Sequence, residues 1–93
     1  MEKAYRVYTS KNYERKLKKI PKDIRRKTDV WIRTVIFKGV DEIRKRPGYH
    51  DEPLQGERFG QRSVRLNKSY RLIYTEYKLE KIILLLEVTK HEY

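Results

Sequence analysis

The sequence predicts an α+β domain in the order β-α-α-β-β-β, with two N-terminal helices packed on one face of a small, mainly antiparallel sheet. Three observations carry this. Apolar residues recur at helical spacing before residue 47 and alternate after residue 60. Pro21 and Pro47-Gly48 punctuate the first half. No helical crossover separates the last three strand segments, so they should form an antiparallel meander. Ninety-three residues suit one domain, 1–93, with a modest core.

Each element has its own signal. Tyr5-Arg6-Val7-Tyr8 alternates and is closed by Thr9-Ser10, which marks a short strand. Ser10 is a candidate N-cap for a helix to Lys19, with Tyr13, Leu17 and Ile20 on one face. Pro21 opens the next helix, where Ile24, Thr28, Trp31 and Val35 form a stripe that Ile32 and Ile36 widen. Gly39 loosens that helix, although Val40 and Ile43 keep its period. A loop is expected from Pro47-Gly48 to about Gly60. Residues 62–66 and 70–75 then read as strands around a turn at Asn67-Lys68-Ser69. After a second turn at 76–80, residues 81–89 read as the central, most buried strand.

Composition narrows the function. Lys and Arg number 24 against 13 Asp and Glu, a net +11, which implies a polyanionic partner. The charge is lopsided: residues 1–46 hold sixteen basic against six acidic residues, whereas residues 47–93 hold eight against seven. The first half supplies bulk positive field, and the second is where a specific site is expected. With no cysteine, a disulfide framework, a thiolate metal site and a cysteine nucleophile are excluded. The longest apolar run, 82–86, suits one buried strand and is far too short for a membrane span. The first residues lack a signal peptide's apolar stretch. The expectation is a soluble, cytoplasmic protein with no cofactor and no membrane partner.

Strand parity decides which side chains meet. With Val64, Leu66, Leu72 and Tyr74 facing the helices, Arg65 and Arg71 face away, and a three-residue turn sets them opposite each other. In the last strand Ile82, Leu84, Leu86 and Val88 should point inward, with Leu85, Glu87 and Thr89 outward. Like charges directly across an antiparallel pair destabilise by up to about 1 kcal/mol. Two readings follow: the guanidinium forks hold an external phosphate, or they are solvated on an exposed face, alone or paired with Glu87. Glu52, just before Pro53, is a candidate general base or a solvated turn residue. His91 and Tyr93 are candidate acid or stacking groups at an end where fraying is usual.

The segment from Leu54 to Tyr74, with its Gly-x-Arg-x-Gly-Gln-x-Ser-x-Arg-x-Asn core, resembles the RelE/ParE toxin superfamily, and its HigB branch most. Glu52-Pro53-Leu54 is similar to the Glu-Pro-Leu of YoeB toxins. The ending Lys90-His91-Glu92-Tyr93 resembles the His/Tyr tails of HigB and YoeB. The resemblance implies the toxin of a type II toxin–antitoxin pair, a ribosome-dependent endoribonuclease that cleaves mRNA in the A site. By position, Arg65 and Arg71 would hold the scissile phosphate, Glu52 would be the general base, and His91 and Tyr93 the acid or stacking groups. HigB proteins often carry lysine where this chain has Gln55, so Arg58 or Lys68 would supply that charge. Lys16, Lys18, Lys19, Arg25, Arg26 and Lys27 would grip ribosomal RNA. The implied partners are a cognate antitoxin, the ribosome and mRNA. Two alternatives stand beside it: a ParE-like gyrase inhibitor with no chemistry of its own, and a basic nucleic-acid-binding module.

Overall fold

The computed structural model describes residues 2–90, so His91 and Tyr93 lie outside the described residues. The chain runs β1 (Arg6–Thr9), α1 (Lys11–Leu17), α2 (Lys22–Lys38), α3 (Val40–Arg44), β2 (Glu52–Pro53), β3 (Arg62–Arg65), β4 (Tyr70–Tyr77) and β5 (Ile82–Lys90), with 3₁₀ turns at Pro47–Tyr49 and Gly56–Arg58. The five strands form one sheet in the order β1-β5-β4-β3-β2. Among the described residues, only β1 pairs parallel, along β5; the other neighbours are antiparallel. No helix among the described residues is long and apolar enough to cross a membrane.

Local chemistry explains the boundaries. The Ser10 hydroxyl accepts from the Tyr13 N–H at 3.0 Å, capping α1, and donates to the Leu86 carbonyl at 2.9 Å. The same side chain thus starts a helix and ties it to β5. Pro21 precedes α2, whose Ile24, Thr28, Trp31 and Val35 are all buried. Gly39 ends α2 at φ 87, a left-handed value that favours glycine, and α3 restarts at Val40. Tyr13, Ile24, Trp31, Val35, Val40 and Ile43 pack on Val64, Leu72, Tyr74, Ile83, Leu85 and Val88, so one sheet face carries the helices.

The structure differs from the sequence reading in several places. β4 rather than β5 lies at the middle of the sheet. The stretch expected as a loop contains β2, paired with β3 through Glu52↔Ser63 and Pro53↔Arg62. A two-residue strand leaves almost no periodic signal. The helical half contains three helices rather than two, because the Gly39 kink separates α3 from α2. The inward set of β5 is Ile83, Leu85 and Val88, not Ile82, Leu84 and Leu86. Its physical reason is a β-bulge. Ile73 pairs with Glu87 but Tyr74 pairs with Leu85, so Leu86 has no partner and sidedness flips across it.

Candidate nucleic-acid interface

Arg65 and Arg71 are register partners, as the turn chemistry required. The Asn67 side-chain oxygen accepts from the Ser69 and Tyr70 N–H groups at 2.7 and 2.8 Å, closing a turn that fixes this register. Thr89 is the next residue across, on β5. Alternation from Val64 and Leu72 places both guanidiniums on the face away from the helices. Among the described residues, neither side chain makes an ion pair or hydrogen bond to a protein group.

A second row lies two residues along the same face: Glu52, Ser63, Ile73 and Glu87, one per strand from β2 to β5. Glu52 is therefore the diagonal neighbour of Arg65, and Glu87 of Arg71, each about 7–8 Å away between backbones. The two carboxylates differ sharply. Glu52 is exposed, and its Oε2 lies 3.6 Å from Nε2 of His50. Glu87 has a side chain only 10% exposed and binds two cations, Lys16 Nζ at 2.9 Å and Arg58 Nη2 at 2.8 Å. Burial opposes its charge, but hydrogen bonds from Arg58 and Lys16 outweigh this and hold its carboxyl below the ordinary value. Glu87 thus does not partner Arg65 or Arg71, and Arg65 is exposed to solvent.

Arg58 reaches Glu87 because the segment 56–61 crosses this face as a strap. The Gly60 carbonyl accepts from Thr75 Oγ1 of β4 at 3.0 Å, and Arg58 Nη1 donates to Gln61 Oε1 at 3.0 Å. Gly56 and Gly60 both hold positive φ, 68 and 94. Phe59, at its tip, is 80% exposed.

The expected RNA-gripping residues divide. Lys16 and Arg58 are engaged by Glu87, Arg25 Nε donates to the Leu17 carbonyl at 3.1 Å, and Lys27 Nζ donates to the Leu66 carbonyl at 3.0 Å. Lys18, Lys19, Arg26 and Lys68 are exposed. A cleft beside Arg65 is lined by Lys27, Arg46, Tyr49 and Leu66, and no carboxylate lines it. Sequence reasoning passed over His50, Asp51 and the anchoring role of Glu87. The outward parity of Glu87 was readable, but its partners come from a helix and a strap that strand parity cannot place.

On the other side of the sheet, a separate network consumes two more arginines. Asp51, with a side chain 1% exposed, accepts from Arg62 Nε and from the Tyr74 hydroxyl, both at 2.6 Å. Arg44 Nη2 donates to Glu76 Oε1 at 2.7 Å and to the Tyr74 hydroxyl at 3.0 Å, and Tyr5 donates to Glu76 Oε2 at 2.8 Å. Burial first, and then Asp51, raise the Tyr74 phenol above its ordinary value and keep it protonated.

The sequence matches no protein-family model, and no curated protein sequence matches it. Solved structures do match. YafQ from E. coli strain BL21(DE3) aligns at TM-score 0.76 and 18% identity, over 94% of this chain and 93% of YafQ. RelE, in the archaeal RelE–RelB complex from Pyrococcus horikoshii OT3, aligns at TM-score 0.73 and 22% identity, over 94% of each chain. A YoeB/ParE toxin from Agrobacterium tumefaciens aligns at TM-score 0.69 and 15% identity, over 94% of this chain and 99% of the toxin. The chain has the fold of the RelE, YafQ and YoeB toxins.

Proposed function

We propose that this protein is the toxin of a type II toxin–antitoxin pair, an endoribonuclease that cleaves mRNA in the ribosomal A site. The observation that carries this reading is the Arg65–Arg71 pair: two guanidiniums set across a ladder, with no protein carboxylate among the described residues to balance them. An anion that balances both is a phosphate. RNA brings its own nucleophile, the 2′-OH, beside each phosphate. Glu52, exposed and diagonal to Arg65, takes the 2′-OH proton. The arginine pair neutralises the charge that builds on the non-bridging oxygens as the 2′-oxygen attacks phosphorus. The P–O5′ bond then breaks, and a proton from His91 or Tyr93 restores the 5′-hydroxyl, leaving a 2′,3′-cyclic phosphate. No step calls for a metal or cofactor.

The basic first half, with Lys18, Lys19 and Arg26 exposed, supports a ribosomal RNA surface as docking partner. A cognate antitoxin is supported by the net +11 and by neighbours of this fold solved with one, RelE with RelB and YafQ with DinJ. Single-turnover cleavage of ribosome-bound mRNA tests the reading. Wild-type protein should cleave, and Arg71→Ala and Glu52→Gln should each slow cleavage at unchanged melting temperature. Wild-type protein that leaves mRNA intact but blocks gyrase supercoiling would replace this function with gyrase inhibition.

A further inference from the structure

Glu87 stands out on this face. A carboxylate with 10% of its side chain exposed lies beside a site built for polyanions, in a chain of net charge +11. Burying a charge is unfavourable unless it is paired, and an acid beside a phosphate site lowers that site's attraction for phosphate. What it binds explains its presence. Its Oε1 holds Lys16 from α1, and its Oε2 holds Arg58 from the strap. The local sum is still positive, and both cations are fixed in place.

We propose that Glu87 is a positioning residue that pins Arg58 beside Arg71, making Arg58 the third phosphate-binding cation of the Arg65/Arg71 face. The inference rests on the nuclease reading for its kinetic consequence, but not for its geometry. Glu87 pairs with Ile73, two residues from Arg71, so a guanidinium on Glu87 is one diagonal step from that of Arg71. Arg58 carries five N–H donors, and Glu87 and Gln61 each take one, leaving others for a ligand. The strap's backbone is held at its base by the Leu54 N–H on the Gln61 carbonyl at 2.9 Å and to the sheet face by the Thr75–Gly60 hydrogen bond, and neither fixes the Arg58 side chain. Its flanking glycines favour mobility, so a charge-assisted bond at Glu87 decides where Arg58 points.

A double-mutant cycle on Glu87→Ala and Arg58→Ala tests this. A misplaced catalytic cation is expected to slow single-turnover cleavage by about 10²-fold, and removing it should do the same. Because the two act as one unit, the double variant should be no slower than either single variant. Glu87→Gln, which keeps the shape but loses the charge, should fall between wild type and Glu87→Ala. Effects that multiply in the double variant would overturn the proposal, as would activity lost only in step with the melting temperature. The same cycle is read on the affinity of a short single-stranded RNA oligonucleotide. If wild-type protein binds the oligonucleotide but cleaves nothing, the nuclease reading fails alone. Non-additive losses of affinity would then still support the pinning of Arg58, and multiplicative ones would overturn it.

Discussion

Two pairs of arginines lie on opposite sides of the same sheet and are treated in opposite ways. Arg44 and Arg62, on the helix side, are given Asp51, Glu76 and the Tyr74 hydroxyl, at distances of 2.6 to 3.2 Å. Arg65 and Arg71, on the far side, are set opposite each other and receive nothing from the described residues. On the helix side each guanidinium has a carboxylate partner. The contrast separates arginines that the protein pairs with its own carboxylates from arginines left without such a partner among the described residues, although the residue type is the same.

The largest test of the contrast is Asp51→Ala. Removing one partner from a buried charge network strands the others, at about 3–5 kcal/mol. Thermal and urea melts should show that loss, and any activity at low temperature should decline only with the folded fraction. An unchanged melting temperature would mean that the network contributes nothing to folding.

Arg71→Ala is expected to do the converse. A donor aimed at developing transition-state charge contributes about 10²–10³ in rate, or roughly 3–4 kcal/mol. Relief of cross-strand repulsion should leave stability unchanged or raise it by less than about 1 kcal/mol. Cleavage near the wild-type rate would erase the distinction between the two pairs.

Acid should weaken both sides of the sheet. Burial opposes the charge on Glu76, but Arg44 and Tyr5 outweigh it and hold its carboxyl below the ordinary value, as Arg58 and Lys16 do for Glu87. A depressed carboxyl stabilises the fold at neutral pH, where both folded and unfolded forms are ionised. That contribution is lost as pH falls from the ordinary carboxylate value through the lowered one. Melting temperatures should therefore drop in that acidic window, and Glu76→Gln should flatten the drop. A profile unaltered in Glu76→Gln would assign acid sensitivity elsewhere.

The smallest effects belong to the exposed helical cations. Lys18→Ala, Lys19→Ala and Arg26→Ala should each weaken ribosome binding uniformly across messages and lower the salt slope by about 1. A change in codon preference from any of them would place these helices against the message.

Much of this was legible because it depended on neighbours in sequence. The Arg65–Arg71 pairing follows from a three-residue turn whose Asn67 closes locally, and the α2 stripe follows from helical spacing alone. The inward set of β5 was misread before the bulge and correct after it, because one unpaired residue, Leu86, inverts the parity and leaves no mark in an apolar run. β2 was invisible because two residues cannot carry a period. The Glu87 anchor escaped for a different reason: Lys16 and Arg58 are 71 and 29 residues away, and only tertiary packing brings them together. Glu52 was placed beside the arginines by resemblance, and the ladder gives that placement a register.

The parallel pairing of β1 with β5 has a consequence for when this fold can assemble. Arg6 pairs with Ile82 and Thr9 with Leu85, so the first strand waits for the last before it has a neighbour. β5 is also an interior strand, and it brings both Glu87 and Thr89 to the arginine face. During synthesis, loop closure of this length precedes any stabilising contact between the two ends. A nascent chain that has not released residues 82–90 thus lacks the strand that both β1 and β4 pair with, and neither edge of that pairing can form. Chains truncated before Ile82 should accordingly show no cooperative melt by circular dichroism; a native-like melt in them would separate assembly of the fold from completion of the chain.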